Sequence, residues 1–394
     1  MKRQAVIKGC ILLITSSLVV IGGAAVVPAL PQIRDQFITV PHSDLLARMI
    51  LALPNLMITL CAFFAGWIID RIGRRKLLIS GLFLYVASGS LPFFLTSIYP
   101  ILLCRLVFGI ALASLMTTST TLIADYFSGE QRNRLMGVQA GCMAFGAMAV
   151  LLLSGFCADI SWRAPFLMYL CALCVIPLAF KYIHEPKRNE THPEKTFLFG
   201  RDTLKKTSPV YIVAYSSMVV FFILPAFLPF YIKESTFVDN KSVALVIACM
   251  SGVRGCIALL YGMSRRWIHF NSVFILIFTG MALGYGIIGF SEHYIQILIG
   301  ALVCGAGLGF LLPNLTAWAM EYAPLEHRGK VIGGLTMSIY FGQFSSPLIL
   351  SPLVSFCGMA RSFIVLGCAL LLFAGFFTVL NLKKIFKRNY TGFN

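Results

Sequence analysis

Two arginines lie inside long apolar stretches, Arg105 in ILLCRLVFGIAL and Arg254 in VIACMSGVRGCIALL. A guanidinium stays charged in proteins and presents a planar fork of donors, so it can hold a carboxylate or phosphate through two parallel hydrogen bonds. No aspartate or glutamate stands at the middle of any apolar stretch. Asp70, Asp125 and Glu321 fall at one set of ends, and Asp35 and Glu292 near the other. Two buried arginines without a central acid suit an anionic or zwitterionic ligand better than a lipophilic cation. Arg254 stands about nine residues, roughly 14 Å of helix, from the nearer end of its stretch, too deep for its head group to reach water easily. Asn55, Gln139, Tyr215, Asn314 and Gln343 are the neutral polar candidates for the same ligand, with Phe222 and Trp318 as aromatic ones. Each could equally serve to hold helices together.

Other chemistries lack their residues. Most of the 12 cysteines, such as Cys61, Cys142, Cys171, Cys174, Cys249 and Cys304, lie in apolar runs where cysteine acts as a small hydrophobe. CALC at 171–174 is a lone CxxC, and no Cys/His ligand spacing accompanies it. No metal or cofactor is therefore expected. There is no Ser-His-Asp order and no GxxxxGK[ST], so the chain is not expected to be an enzyme or to draw directly on ATP.

The elements that must position these groups follow from composition. Of 394 residues 58% are hydrophobic and 12% charged, with a mean hydropathy of +0.85; a soluble chain carries about 25% charged residues. A helix needs roughly 20 apolar residues to cross a bilayer, and such segments recur at 9–30, 47–69, 77–96, 98–124, 135–157, 165–182, 209–231, 242–263, 271–290, 294–320, 331–354 and 362–382. The first follows a basic start, lacks a small-x-small cleavage site and is long enough to span, so it reads as a transmembrane helix. One gap alone is long and polar, 181–209. The expected architecture is an all-α membrane protein of twelve transmembrane helices in two pseudo-symmetric six-helix bundles. The first bundle covers 1–182, a cytoplasmic linker 183–208 and the second bundle 209–394.

The net charge of +17 is not a nucleic-acid footprint under this reading. Lysine and arginine collect on cytoplasmic loops of membrane proteins. With the N-terminus inside, most of the 32 cations fall on one side, and only Arg34, Arg48, Arg163, Lys233, Lys241 and Arg361 on the other. Both termini are expected in the cytoplasm of a monomer in the plasma (inner) membrane, with the lipid bilayer and a small-molecule substrate as partners.

The halves are also copies. Gly109 is followed by Gly305 at an offset of 196 residues. At the same offset DYFSGEQRNRLMG (125–137) aligns with EYAPLEHRGKVIG (321–333), and Gly66 and Asp70 with Gly262 and Arg266. PALP (28–31) echoes PAFLP (225–229). Several matches at one offset indicate an internal duplication, and parallel six-helix halves are the plan of one large class of secondary transporter.

Residues 66–76, GWIIDRIGRRK, carry Gly66, Asp70, Arg71, Gly73, Arg74, Arg75 and Lys76 between the second and third spans. This pattern resembles the signature loop of the major facilitator superfamily, in which the loop latches the halves in the outward-facing state. The resemblance implies that Asp70 meets basic residues near the fourth and fifth helices, here Arg132 or Arg134, and the start of the eleventh. It also implies that Asp125, Arg132, Glu321 and Arg328 belong to the duplicated latch. The glycines have local reasons: Gly66 allows close helix approach and Gly73 a tight turn. R105-L-V-F-G109 resembles an Arg-x-x-x-Gly element of facilitator exporters linked to proton movement, and SWRAPF at 161–166 a common join between the fifth and sixth spans. The fifth span, with glycines at 137, 141, 146 and 155, lacks the proline of the drug/proton antiporter element. The resemblance implies alternating-access export of small organic compounds coupled to H+. An organic-anion or metabolite importer or exporter using Arg105 and Arg254 is the alternative, with a transport-dead sensor behind it.

Overall fold

The computed structural model describes residues 2–186, 201–236, 238–264, 270–322 and 328–391; the linker residues 187–200 lie outside the described residues. All regular structure among these is helical. Twelve helical segments follow one another: α1 (Lys2–Ala24, continued through a tight turn at Val27–Ala29 into Leu30–Gln36), α2 (Ser43–Ile72), α3 (Arg74–Ser90), α4 (Ile98–Tyr126), α5 (Gly129–Ile160) and α6 (Ala164–Tyr182). Then come α7 (Arg201–Phe221, resumed at Ile223–Thr236), α8 (Asn240–Ser264), α9 (Phe270–Gly289), α10 (Tyr294–Gly309, resumed at Leu311–Glu321), α11 (Arg328–Cys357) and α12 (Met359–Thr391). The breaks in α1 and α7 fall beside the paired proline motifs, where the ring removes a backbone donor and crowds the preceding turn.

Eleven of these are long and apolar enough to cross a membrane. The twelfth, α11, is 30 residues long. It is interrupted in character by Thr336, Ser338, Gln343, Ser345, Ser346 and Ser351, which lower its hydropathy. Those groups turn partly inward: Ser346 Oγ donates to the Val219 carbonyl at 2.6 Å and Ser345 Oγ to Tyr215 Oη at 3.1 Å. Large apolar side chains such as Phe290 and Leu372 are largely exposed. Water would penalise that surface, and lipid does not. The chain is an integral membrane protein.

Within the first half α2 packs on α4, α3 on α4, and α1 on α4 and α5; within the second, α8 packs on α10, and α9 on α10 and α12. The halves meet where α2 lies on α11 and α5 on α8. The duplication is visible in two close approaches to backbone. A methyl group on Gly109 would come 2.5 Å from the Pro54 carbonyl oxygen, and one on Gly305 would come 2.5 Å from that of Met250. Pro54 and Met250 stand at the same offset as the glycines, so the two halves repeat one glycine-to-backbone contact.

On the face opposite the termini the halves are clasped. Arg34 Nη1 binds Glu234 Oε1 at 2.6 Å across the seam, and Asp159 at the end of α5 holds the Asn240 N–H at 3.1 Å and Lys241 Nζ at 3.3 Å at the start of α8. Towards the termini the same helices part. Gly252 and Gly255 of α8 face Met148 and Ala144 of α5, whereas Gly137 and Gly141, nearer the start of α5, face nothing within 4 Å among the described residues.

Candidate functional site

A cavity of about 300 Å³ lies between the halves. The middle of α2 contributes Asn55 beside Pro54, and α7 contributes Phe222 beside its break at Pro225. Arg105 comes from α4, Arg254 from α8, and Tyr340 and Gln343 from α11. Asn55, Phe222, Arg105, Arg254 and Gln343 were all expected from sequence. Among the lining residues the two arginines carry the only charges; no acid, lysine or histidine is present. The remaining wall is aliphatic with thioethers from Met143 and Met250, polarizable side chains that adapt to varied shapes.

The two arginines are held differently. Arg105 is 1% exposed. Its guanidinium carbon lies 4.8 Å from the ring centre of Phe166 and 5.1 Å from those of Phe108 and Tyr169. Nη1 donates to Tyr169 Oη at 3.2 Å, and that hydroxyl donates to the Gly22 carbonyl at 3.3 Å. Nε and Nη2 have no hydrogen-bond partner among the described residues. Three ring faces offset the loss of water around the charge, so Arg105 bounds the cavity from within its wall. Arg254 is half-buried, with its guanidinium carbon 5.7 Å from the Phe221 ring centre. No acid or hydrogen-bond acceptor among the described residues engages it, and it faces the open space between the halves.

Four expected residues do not line the cavity. Gln139 Nε2 donates to Ser16 Oγ at 2.6 Å and ties α5 to α1. Tyr215 accepts from Ser345 and stacks on Phe341 with ring centres 5.6 Å apart, tying α7 to α11. Asn314, fully buried, accepts from Tyr261 Oη at 3.0 Å between α8 and α10. Trp318 packs edge-on to Phe274 and Phe377, at 5.4 and 6.4 Å. Each joins helices of one half. Tyr340, Met143 and Met250 line the cavity without having been singled out, because nothing local distinguishes a lipid-facing methionine or tyrosine from a cavity-facing one.

At the termini face the signature loop is partly visible. Gly73 adopts φ 90°, a conformation that favours glycine, and turns the chain from α2 into α3. Arg74 Nε then meets Asp125 Oδ2 at 2.6 Å, linking α3 to the end of α4. The backbone N–H groups of Arg74 and Arg75 donate to Glu185 Oε1 and Oε2, both at 2.8 Å. That carboxylate satisfies free donors at the start of α3 and meets its positive dipole end. Arg75 Nη2 also reaches the Phe180 carbonyl at 3.0 Å. Glu185 was read from sequence only as part of the linker, yet it follows the fully buried Ile183 and docks on the bundle. Arg71, Arg132 and Glu321 are exposed here. The surroundings of Gly66 and the side chains of Asp70 and Arg328 lie outside what the structure describes, so the expected contacts of Asp70 are not among these.

A family model described as Major Facilitator Superfamily matches residues 12–347 and, again, 269–387. Tetracycline resistance protein, class C, of Escherichia coli is 26% identical over 359 residues, covering 86% of this chain and 88% of that protein. Quinolone resistance protein NorA of Staphylococcus aureus is 24% identical over 369 residues, covering 90% and 91%. Among solved structures a D-xylose-proton symporter superposes with a TM-score of 0.75 at 18% identity, covering 94% of this chain and 96% of that one. At that identity the likeness concerns the fold.

Proposed function

The chain belongs to the Major Facilitator Superfamily, and on that premise we propose that it is a secondary transporter exporting small organic compounds that combine an apolar body with an anionic or zwitterionic group. The observation that carries this reading is the cavity between the halves, whose charge comes from Arg105 and Arg254 with no acid to neutralise them. Arg254, lacking a protein partner among the described residues, is the group that a substrate carboxylate or phosphate would meet. Export is supported by the resistance proteins to which the chain is similar. Rocking of the halves about the central site, with the clasped face opening as the parted face closes, would deliver the compound across the membrane.

The cation-rich termini face is the cytoplasmic one in this reading, in the plasma membrane, and the site is then open to the cytoplasm in the structure. H+ is the proposed coupling ion, on the resemblance of Arg105–Gly109 to the exporter element. Arginine itself does not release a proton, so the coupling carboxylates must lie outside the cavity. Import of the same class of organic anion is the second reading, since an unneutralised cation in the cavity favours an anionic cargo whichever way it moves.

The test is transport by purified protein in proteoliposomes with an imposed pH gradient, using 1-naphthoate, 1-naphthamide and 1-naphthylmethylamine and subtracting flux in empty vesicles. Naphthoate should move fastest and in response to the gradient. Faster movement of the amine would overturn the charge assignment, and flux indifferent to the gradient would overturn the coupling.

A further inference from the structure

Arg48, on α2, was expected at the start of the second span, among the cations of the outer side. The structure buries it, at 5% exposure, three residues before Leu51 of the cavity wall. Its guanidinium carbon lies 4.2 Å from the ring centre of Phe227 and 5.0 Å from that of Phe230, both fully buried on α7 in the other half. No hydrogen bond or ion pair engages Arg48 among the described residues, and its Nε is buried without a partner. A charge in that position is held by the two ring faces.

The position along both helices gives this contact its meaning. On α2 the order from the centre outward is Asn55, Leu51, Arg48, Asp44; on α7 it is Phe222, Pro225, Phe227, Phe230, Glu234. Asn55, Leu51, Phe222 and Pro225 line the central cavity. Asp44, Glu234 and Arg34 line a second cavity, of about 520 Å³, at the face opposite the termini, and Arg48 lines it from the inner side. Along both helices the contact of Arg48 with Phe227 and Phe230 therefore falls between the residues that line the one cavity and those that line the other. Arg34 and Glu234 clasp the rim above it.

We propose that Arg48 is the positioning residue that shuts the substrate route on the face opposite the termini, its guanidinium acting as a plug seated on Phe227 and Phe230 across the seam between the halves. A flat cation suits this place. It packs like a ring while the halves are together, yet its charge favours leaving the aromatic slot once water enters. Asp44 stands one helical turn outward on α2, and Arg34 holds it at 3.6 Å while the rim is clasped. When the halves separate and Arg34 lets go, Asp44 is within reach of Arg48 at i, i+4 spacing. The plug thus has a partner in each state, and no desolvated charge is stranded during the cycle.

The inference rests on the proposed orientation, in which this face is outside the cell, and the experiment tests both separately. A membrane-impermeant maleimide is added to intact cells expressing Ser355→Cys, which reports the outer cavity from an exposed position on its lining, or Asn55→Cys, which reports the central one; labelling of the parent's own cysteines is subtracted. Ser355→Cys should react, and a failure to do so overturns the orientation. Asn55→Cys should react slowly in the otherwise unchanged chain. Adding Arg48→Ala should speed its labelling about thirtyfold, the equivalent of roughly 2 kcal/mol for a desolvated cation–π contact at 1.4 kcal/mol per tenfold. Arg48→Lys, which keeps charge but not the flat fork, should fall between. Ser355→Cys labelling unchanged by Arg48→Ala shows that the variant is folded. If Asn55→Cys labelling then stays at its slow rate in Arg48→Ala, or is already fast with Arg48 present, Arg48 is not the plug.

Discussion

Replacing Arg254 by glutamine removes one charge and the fork while keeping similar length and an amide that can still donate. The structure fixes what can be lost. Arg254 has the Phe221 ring at 5.7 Å, and no protein acceptor among the described residues, so its donors are free for a ligand. Hydrogen bonds to charged groups contribute about 1.5–3 kcal/mol each. A forked pair to a carboxylate, reduced to one neutral amide bond, loses about 2–3 kcal/mol, or roughly 30- to 150-fold in Kd. Lysine keeps the charge but offers a point donor, so Arg254→Lys should lose about tenfold. Neither change should alter a neutral ligand by more than about twofold, because the aliphatic and thioether walls that hold its apolar body are untouched.

Titration calorimetry of 1-naphthoate and 1-naphthamide against the purified parent and both variants measures these differences directly. The selectivity is the informative quantity: naphthoate affinity should fall from parent to lysine to glutamine while naphthamide affinity stays level. Equal naphthoate affinity in parent and Arg254→Gln would refute the reasoning and leave Arg254 with a structural role. A parallel fall in both ligands would mean that the cavity had collapsed, and would refute it equally.

Arg105→Gln should act oppositely, lowering the thermal unfolding temperature in detergent by several degrees while changing the naphthoate-to-naphthamide ratio little, because its contacts with Phe108, Phe166 and Tyr169 are internal to one half. Asp125→Asn should slow transport in proteoliposomes with normal membrane insertion, since the half-buried pair with Arg74 contributes about 1 kcal/mol to the balance between states; parent-like rates would remove Asp125 from the latch. Gly109→Ala and Gly305→Ala should each lower thermal stability by about 1–3 kcal/mol through overpacking against backbone, and a loss at only one of them would contradict the repeated contact. Protease added to inside-out vesicles should cut within 187–200, and right-side-out vesicles should protect that segment; the reverse pattern would invert the topology.

What was legible in the sequence divides along physical lines. The spans were readable because a bilayer demands a long apolar run, and the duplication because glycines at backbone contacts cannot drift without separating helices, as Gly109 and Gly305 show. The family loop was readable because its charges and turn glycine are close in sequence. Its Arg74 meets Asp125, but the carboxylate capping α3 comes from Glu185, which lies 111 residues from Arg74, and no local pattern encodes that distance. The cavity was legible only in part. A helix apolar on every side gives no moment to say which way a polar residue points, so Gln139, Tyr215, Asn314 and Trp318 could not be separated from Asn55 and Gln343. Arg48 stood at the start of its span and was only counted with the outer-side cations, because its aromatic seat comes from the other half of the chain.

The arginines themselves show how the duplicated scaffold has been specialised. At the offset that relates Gly109 to Gly305, Arg105 corresponds to Ala301 and Phe108 to Cys304. The cation and the ring one helical turn from it on the same helix are thus present together in one half and absent together in the other, as expected if that ring is there to hold the charge. Arg254 corresponds to Ile58, and Phe221, the ring beneath it, to Ala25. The second half has therefore placed a deep charge where the first has a methyl-rich side chain, but without building a comparable cage around it. A buried cation that the protein leaves so little compensated is costly in the empty state and becomes least costly when an anion occupies the cavity. The difference between those two conditions is available as binding energy, and it is the reason that Arg254, rather than the better-buried Arg105, is assigned to the cargo.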